Sequence, residues 1–190
     1  MTEIALRPRF SPLAPESRSL GWQVGAVLVG SALLAASSHI KVPMYPVPMT
    51  MQTFAVTLIG ALYGWRLGAV TILAWLTQAA LGLPVLAGGA VGLAYFAGPT
   101  AGYLLAFPIA GALTGWLAAR GWNGNRMGWA FASMLLGNAL CLVLGTAWLG
   151  LTIGAEKAIA LGALPFIVGA VVKSALAAST LALWSRGARG

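Results

Sequence analysis

Acid is what this sequence most lacks. Its 190 residues include three glutamates, Glu3, Glu16 and Glu156, and no aspartate. Paired carboxylates for acid–base chemistry are therefore missing, as is an oxygen cage for a hard cation. The one histidine, His39, stands at a helix end near the outer interface and reads as a solvated interfacial residue rather than a ligand contact. A lone cysteine closes no intrachain disulfide, and Cys141 reads as apolar helix filler. The segment AGGAVG (87–92) has glycines but no lysine and no preceding strand, and GxxxxGK[ST] is absent, so no phosphate-cradling loop is expected. HExxH and GxSxG are absent too. No catalytic residue, metal ligand or cofactor site is assigned, and fuel for pumping would have to come from another chain.

Charge of either sign is scarce. Charged residues make up 7% of the chain and apolar ones 59%, against about 25% charged in soluble domains. That balance predicts an all-α polytopic membrane protein. The net charge of +8 does not signal nucleic acid, because the basic residues are scattered between apolar runs rather than gathered in a patch with interleaved aromatics.

The apolar runs divide the chain. A polar tail covers 1–19, and a single membrane domain covers 20–190. Helices are expected over Leu20–Ser38, Thr50–Trp65, Arg66–Gly82, Pro99–Arg120, Met127–Leu151 and Ile159–Ser185, with a tight Gly64–Gly68 turn between the second and third. A cleaved signal peptide over the first run is disfavoured, since the tail before it is long and the chain stays hydrophobic after it. Six helices put both termini on one side. Arg7, Arg9, Arg18, Arg66, Arg120, Arg126, Arg186 and Arg189 then share a face, against Lys41 and Lys157 on the other. The positive-inside rule makes the first face, and both termini, cytoplasmic. GALYGW (60–65) and GALTGW (111–116) echo each other. Two copies in a chain rich in Gly, Ala and Leu read as chance plus interfacial tryptophan rather than an internal repeat.

Two stretches interrupt the helices with Pro and Gly: KVPMYPVPMTMQT (41–53) and LPVLAGGAVGLAYFAGPTAG (83–102). Irregular backbone at membrane depth persists only where protein covers it or a cavity adjoins it. The charge count puts both stretches outside, where together they would roof a pocket. Lys173 lies about 12 residues from the inner end of the last helix. A lysine so deep costs about 2.5–3.5 kcal/mol on insertion scales, and its stem is too short to snorkel to either interface. No helix supplies a carboxylate for it, so the counter-charge could arrive on an anionic ligand. Asn138 counts to a similar depth, and serves either a ligand amide or helix stitching. Gln52, Thr53 and Gln78 near the outer helix ends, with Tyr45 and Tyr103 by the outer connections, read singly as interfacial or capping residues. Jointly they would give the vestibule polar edges and aromatic walls. The first helix carries small-xxx-small spacings in GWQVG, AVLVG and ALLAA, which suit close packing within the chain or docking to a separate subunit.

Three blocks carry a resemblance: VPMYPVPMTMQTFAVTLIGALYGWRLGAV, GLPVLAGGAVGLAYFAGPTAGYLLAFPIAG and LPFIVGAVVKSALAA. Together, from about Pro43 to Ala178, they resemble the BioY family of biotin transporters, the substrate-binding S components of energy-coupling factor importers. The combination of P-x-T-x-Q-T with GLPV-x-AGG and GPT-GY is the specific part. The resemblance implies an S-component-like bundle of six helices with cytoplasmic termini in the bacterial cytoplasmic membrane. It implies high-affinity biotin uptake without chemistry on the substrate, with biotin the transported ligand rather than a cofactor. Implied partners are the lipid bilayer, a transmembrane coupling subunit and two ATP-binding cassette subunits. Substrate contacts are then expected at Lys173, Asn138, Gln52, Tyr103, Tyr45 and Gln78, and coupling-subunit contacts at Ala26, Gly30, Ala32 and Ala36. In the last block Pro165, Phe166, Gly169 and Lys173 match the family pattern, but Ala170 stands where an aspartate is expected. Alternatives are an S component for thiamine or riboflavin, a membrane-embedded lipid-modifying enzyme, and a purely structural membrane subunit.

Overall fold

A computed structural model describes residues 18–187. Most of the polar tail, including Arg7 and Arg9, and the terminal Arg189 lie outside the described residues. Apolar runs become helices because the bilayer offers backbone groups no partners but one another. The helices are α1 (Leu20–His39), α2 (Gln52–Ala80), α3 (Ala101–Ala119), α4 (Met127–Ile153), a short α5 (Ala155–Ala158) and α6 (Phe166–Gly187). By length and composition α1, α3, α4 and α6 can each cross a membrane, and α2 is mostly apolar over its 29 residues.

The segment α2 folds back on itself. Gly64 has φ 78° and ψ 169°, a conformation closed to side chains with a Cβ. A Cβ built on Gly68 would stand 3.0 Å from Cα of Gly60, although eight residues of unbroken helix span about 12 Å. The arms 52–63 and 65–80 therefore lie side by side. The expected turn exists but is tighter than Gly64–Gly68: one glycine makes it, and Arg66 is already helical.

The last helix also differs from expectation. Residues Ile159–Ala163 form a π-helical turn, and α6 begins only at Phe166. Pro165 supplies no N–H to the ladder, so an unbroken helix from Ile159 is not available. Beyond it, Phe166, Ala170, Lys173, Ser174, Ala177, Ala178, Leu181, Ala182 and Ser185 are buried. Their three- and four-residue spacing is one helical face, and this face turns Lys173 into the bundle.

The core sits between α2 and α3. Trp75 is fully buried, and its ring centroid lies 6.1 Å from that of Phe107. Trp75 Nε1 donates to the carbonyl of Val85 at 3.0 Å, and Ser38 Oγ donates to the same oxygen at 2.9 Å. Trp148 Nε1 donates to the carbonyl of Gly98 at 3.0 Å. These three bonds fasten both ends of the irregular α2–α3 connection, which contains the 3₁₀ turns Ala87–Gly89 and Leu93–Ala97. The α1–α2 connection is a small hairpin, β1 (Lys41–Val42) against β2 (Met49–Thr50), antiparallel with Lys41 opposite Thr50. Large apolar residues such as Val29, Val143 and Val168 face outward, as a lipid-facing surface requires.

Candidate functional site

The two Pro/Gly-rich connections meet over a cavity. Val47, Pro48 and Thr50 come to it from the hairpin, and Ala87 and Tyr95 from the α2–α3 connection. Below them the walls are Gln52 and Thr53 of α2, Tyr103 and Phe107 of α3, Asn138 and Cys141 of α4, and Phe166, Ala170 and Lys173 of α6. A mostly apolar pocket with a few convergent polar groups is the ordinary form of a small-molecule site.

Among the described residues, Lys173 is the one charged side chain that lines the cavity. It is 8% exposed, and Nζ donates to the carbonyl of Thr50 at 3.1 Å. The floor of the cavity is thus tied to the roof across 123 residues of sequence. The neighbouring roof residue also rests on α6: a Cβ on Gly169 would come 2.8 Å from Sδ of Met49. Glu156 is the sole acidic residue among those described. It belongs to α5 and does not line the cavity, so no carboxylate there neutralises the ammonium.

Gln52 and Thr53 provide the second polar feature. Gln52 is 5% exposed. Its Oε1 accepts from Thr50 Oγ1 at 2.8 Å, while Nε2 has no partner. Thr53 Oγ1 is buried and unpartnered as well. A buried polar group without a partner costs about 1–3 kcal/mol, and both of these residues line the cavity. Asn138 stitches two helices together at the cavity. Nδ2 donates to the carbonyl of Met134 at 3.0 Å and to Ser174 Oγ at 3.1 Å, tying α4 to α6, and the residue also lines the cavity.

Tyr103 lines the cavity with its ring, stacked on Phe166 at 6.3 Å between centroids. Its hydroxyl points elsewhere and donates to the carbonyl of Gly162 at 2.7 Å, so it offers a wall rather than a hydrogen bond. Tyr45 and Gln78 are not brought to the cavity. Tyr45 is 89% exposed at the tip of the hairpin. Gln78 Nε2 donates to Ser31 Oγ at 3.2 Å, bracing α2 against α1. Sequence reasoning missed Phe107 as a wall residue, Ser174 as the partner of Asn138, and the Thr50 carbonyl. Ser174 had a signal in its place one residue after Lys173 on the same small-residue face; a carbonyl has none.

The four α1 residues separate into two pairs. A Cβ on Gly30 would come 2.6 Å from Cγ2 of Thr71, and the carbonyl of Ala26 accepts from Tyr63 Oη at 3.0 Å. Gly30 and Ala26 therefore pack inside the chain. Ala32 and Ala36 are exposed, on the same face as Gly21 and Gly25. A helix spacing of three and four residues keeps these on one stripe.

A bundle of membrane helices roofed by two irregular connections, with a buried lysine and unpartnered amide and hydroxyl groups lining a mostly apolar cleft, has the form of a membrane protein that binds a small molecule. Comparison with known proteins narrows the class. The family model described as "BioY family" matches residues 16–189, and this chain belongs to that family. It is 39% identical to the probable biotin transporter BioY of Pyrococcus horikoshii, over 82% of this chain and 91% of that protein. It is 36% identical to the biotin transporter BioY of Rhizobium etli, over 80% and 84% respectively. Among solved structures, the S-component for biotin from an ECF-type ABC transporter superposes with a TM-score of 0.78 at 25% identity, covering 90% of this chain and 95% of that one.

Proposed function

We propose that this protein is the biotin-binding S component of an energy-coupling factor importer, and that it captures biotin in the cavity beneath the two connections. The observation that carries the reading is the buried, acid-free environment of Lys173 in a cleft with apolar walls. Biotin supplies what this cleft lacks. Its carboxylate neutralises Nζ, its urea meets Gln52 Nε2, Thr53 Oγ1 and the Asn138 side chain, and its fused rings lie against Tyr103, Phe107 and Phe166. Only binding is asked of these residues, since no bond in the ligand is made or broken.

Transport then needs partners that hydrolyse ATP. The reading assigns a transmembrane coupling subunit, docked on the exposed α1 stripe at Ala32 and Ala36, and two ATP-binding cassette subunits. The eight-to-two distribution of basic residues supports cytoplasmic termini and a cavity that opens outward. An equilibrium titration of the purified protein by calorimetry tests the reading. Saturable one-to-one binding of biotin, undisturbed by thiamine or riboflavin, is expected. Displacement of biotin by either vitamin, or no heat with biotin, would overturn it.

A further inference from the structure

The echo between GALYGW and GALTGW has a structural counterpart that biotin capture leaves unused. The two hexapeptides face each other. A Cβ on Gly60 would collide with the carbonyl oxygen of Gly111, and one on Gly115 would stand 2.5 Å from the Gly60 carbonyl oxygen and 2.7 Å from the carbonyl carbon of Gly64. Thr114 Oγ1 completes the crossing by donating to the carbonyl of Thr57 at 3.2 Å. Corresponding glycines thus meet backbone to backbone, and the hexapeptides deliver Trp65 and Trp116 to the same end of the bundle.

Each tryptophan carries an arginine. The Arg66 guanidinium lies 5.0 Å from the centroid of the Trp65 ring, and that of Arg120 lies 3.6 Å from the centroid of Trp116. The two tryptophans are 44% and 42% exposed. Arg120 is the last residue before a glycine turn: Gly121 has φ 97°, and Trp122 N–H reaches back to the carbonyl of Leu117 at 3.0 Å. This C-terminal closure fixes where α3 stops and where the guanidinium stands.

The whole end is basic. Tyr63 bonded to Ala26 brings the start of α1, with Arg18 over Trp22 at 5.7 Å, to this side. Gly124 against the carbonyl of Leu181 brings Arg126 beside the end of α6 and Arg186. The described acidic residue, Glu156, follows the far end of the 27-residue α4, about 40 Å away by helical rise. Half-exposed indoles settle at the headgroup level of a bilayer, and that is the level of the lipid phosphates. Arginine presents a planar fork that pairs with phosphate oxygens while stacking on an aromatic face. A soluble anion would gain from the arginines but not from the indoles.

We infer that the crossing of the two hexapeptides is a binding site for an anionic phospholipid headgroup, its phosphate held between Arg66 and Arg120 and its glycerol region against Trp65 and Trp116. The test reconstitutes the full chain in phosphatidylcholine nanodiscs with graded phosphatidylglycerol and counts retained lipid by native mass spectrometry. Wild-type protein is expected to retain phosphatidylglycerol. R66Q/R120Q is expected to retain it roughly thirtyfold less well, two arginines at the usual surface contribution each. R126Q/R186Q, which removes equal charge from the same end, is expected to behave as wild type. Equal loss in both double variants would reduce the site to a diffuse field and overturn the assignment, as would undiminished retention in R66Q/R120Q. Should R66Q/R120Q fail to fold, R66K/R120K keeps both charges without the forks. It must still lose retention several-fold, and wild-type retention there refutes the clamp.

Discussion

Replacing Lys173 by methionine separates binding from stability. Methionine keeps most of the stem's volume and removes the charge and its donors. Without ligand, the wild-type ammonium is nine-tenths buried and donates to the Thr50 carbonyl at 3.1 Å. Lys173→Met forfeits that charged hydrogen bond, about 1.5–3 kcal/mol. It also removes a membrane-depth cation that costs about 2.5–3.5 kcal/mol. The two nearly cancel, so the unliganded protein should melt within a few degrees of wild type or slightly higher. With biotin the balance tips one way. The ligand's carboxylate would be buried with no cation, a loss of about 3–5 kcal/mol, or two to three and a half decades in Kd at about 1.4 kcal/mol per decade. Calorimetric titration measures the affinity and differential scanning fluorimetry the unliganded stability. Biotin methyl ester sharpens the result: wild type should prefer the acid strongly, and Lys173→Met should lose the preference. Unchanged biotin affinity refutes the pairing. A preference for the acid that survives the substitution shows that Lys173 meets the urea instead.

Further outcomes follow from neighbouring contacts. Gln52→Met removes the unpartnered Nε2, a relief of about 1–3 kcal/mol, but also the Oε1 that accepts from Thr50 Oγ1, a loss of about 0.5–1.5 kcal/mol. The unliganded protein should melt at or slightly above the wild-type temperature while calorimetry shows biotin bound about fivefold more weakly, one neutral hydrogen bond. Tyr45→Ser should leave biotin affinity unchanged, because Tyr45 is exposed and does not line the cavity; a tenfold loss on titration would show that the hairpin tip closes over the ligand. Gly60→Ala should abolish a sharp melting transition, since its Cβ meets backbone that cannot give and overpacking costs about 1–3 kcal/mol even where neighbours can move. Gly25→Ala, with nothing within 4 Å, should melt at or above the wild-type temperature. Ala32→Leu should bind biotin normally but fail to co-purify with the coupling subunit, and undiminished co-purification would remove this face from the docking surface.

Much of the fold was legible because lipid makes few demands and makes them plainly. An apolar run long enough to span must be helical, and Pro or Gly in quantity must break it. That logic located α1, α3 and α4 to within a few residues, and it located the two connections that meet over the cavity. It misjudged the start of α6, where Pro165 splits one apolar run into a π turn and a helix. Lys173 was legible for the same reason: a cation deep in an apolar helix is too costly to be filler. Its tie to the roof was not, since the acceptor is a main-chain carbonyl that every residue except its conformation leaves anonymous.

Residues of intermediate polarity were harder, and the reason is helical phase. Gln52 and Gln78 both stand near outer helix ends, yet one amide faces the cavity and the other braces α1 through Ser31. Tyr103 lies where expected, but Gly162 on the π turn claims its hydroxyl. Within α1, Ala26 and Gly30 share the small-residue spacing of Ala32 and Ala36 but lie on the opposite face, against Tyr63 and Thr71. Spacing tells which residues can share a face, and only the neighbouring helix decides which face is covered. The two hexapeptides make the point most strongly. As sequence they are a short echo in a composition that produces echoes. As structure, each supplies the glycines on which the other rests, so neither half explains itself until both are in contact.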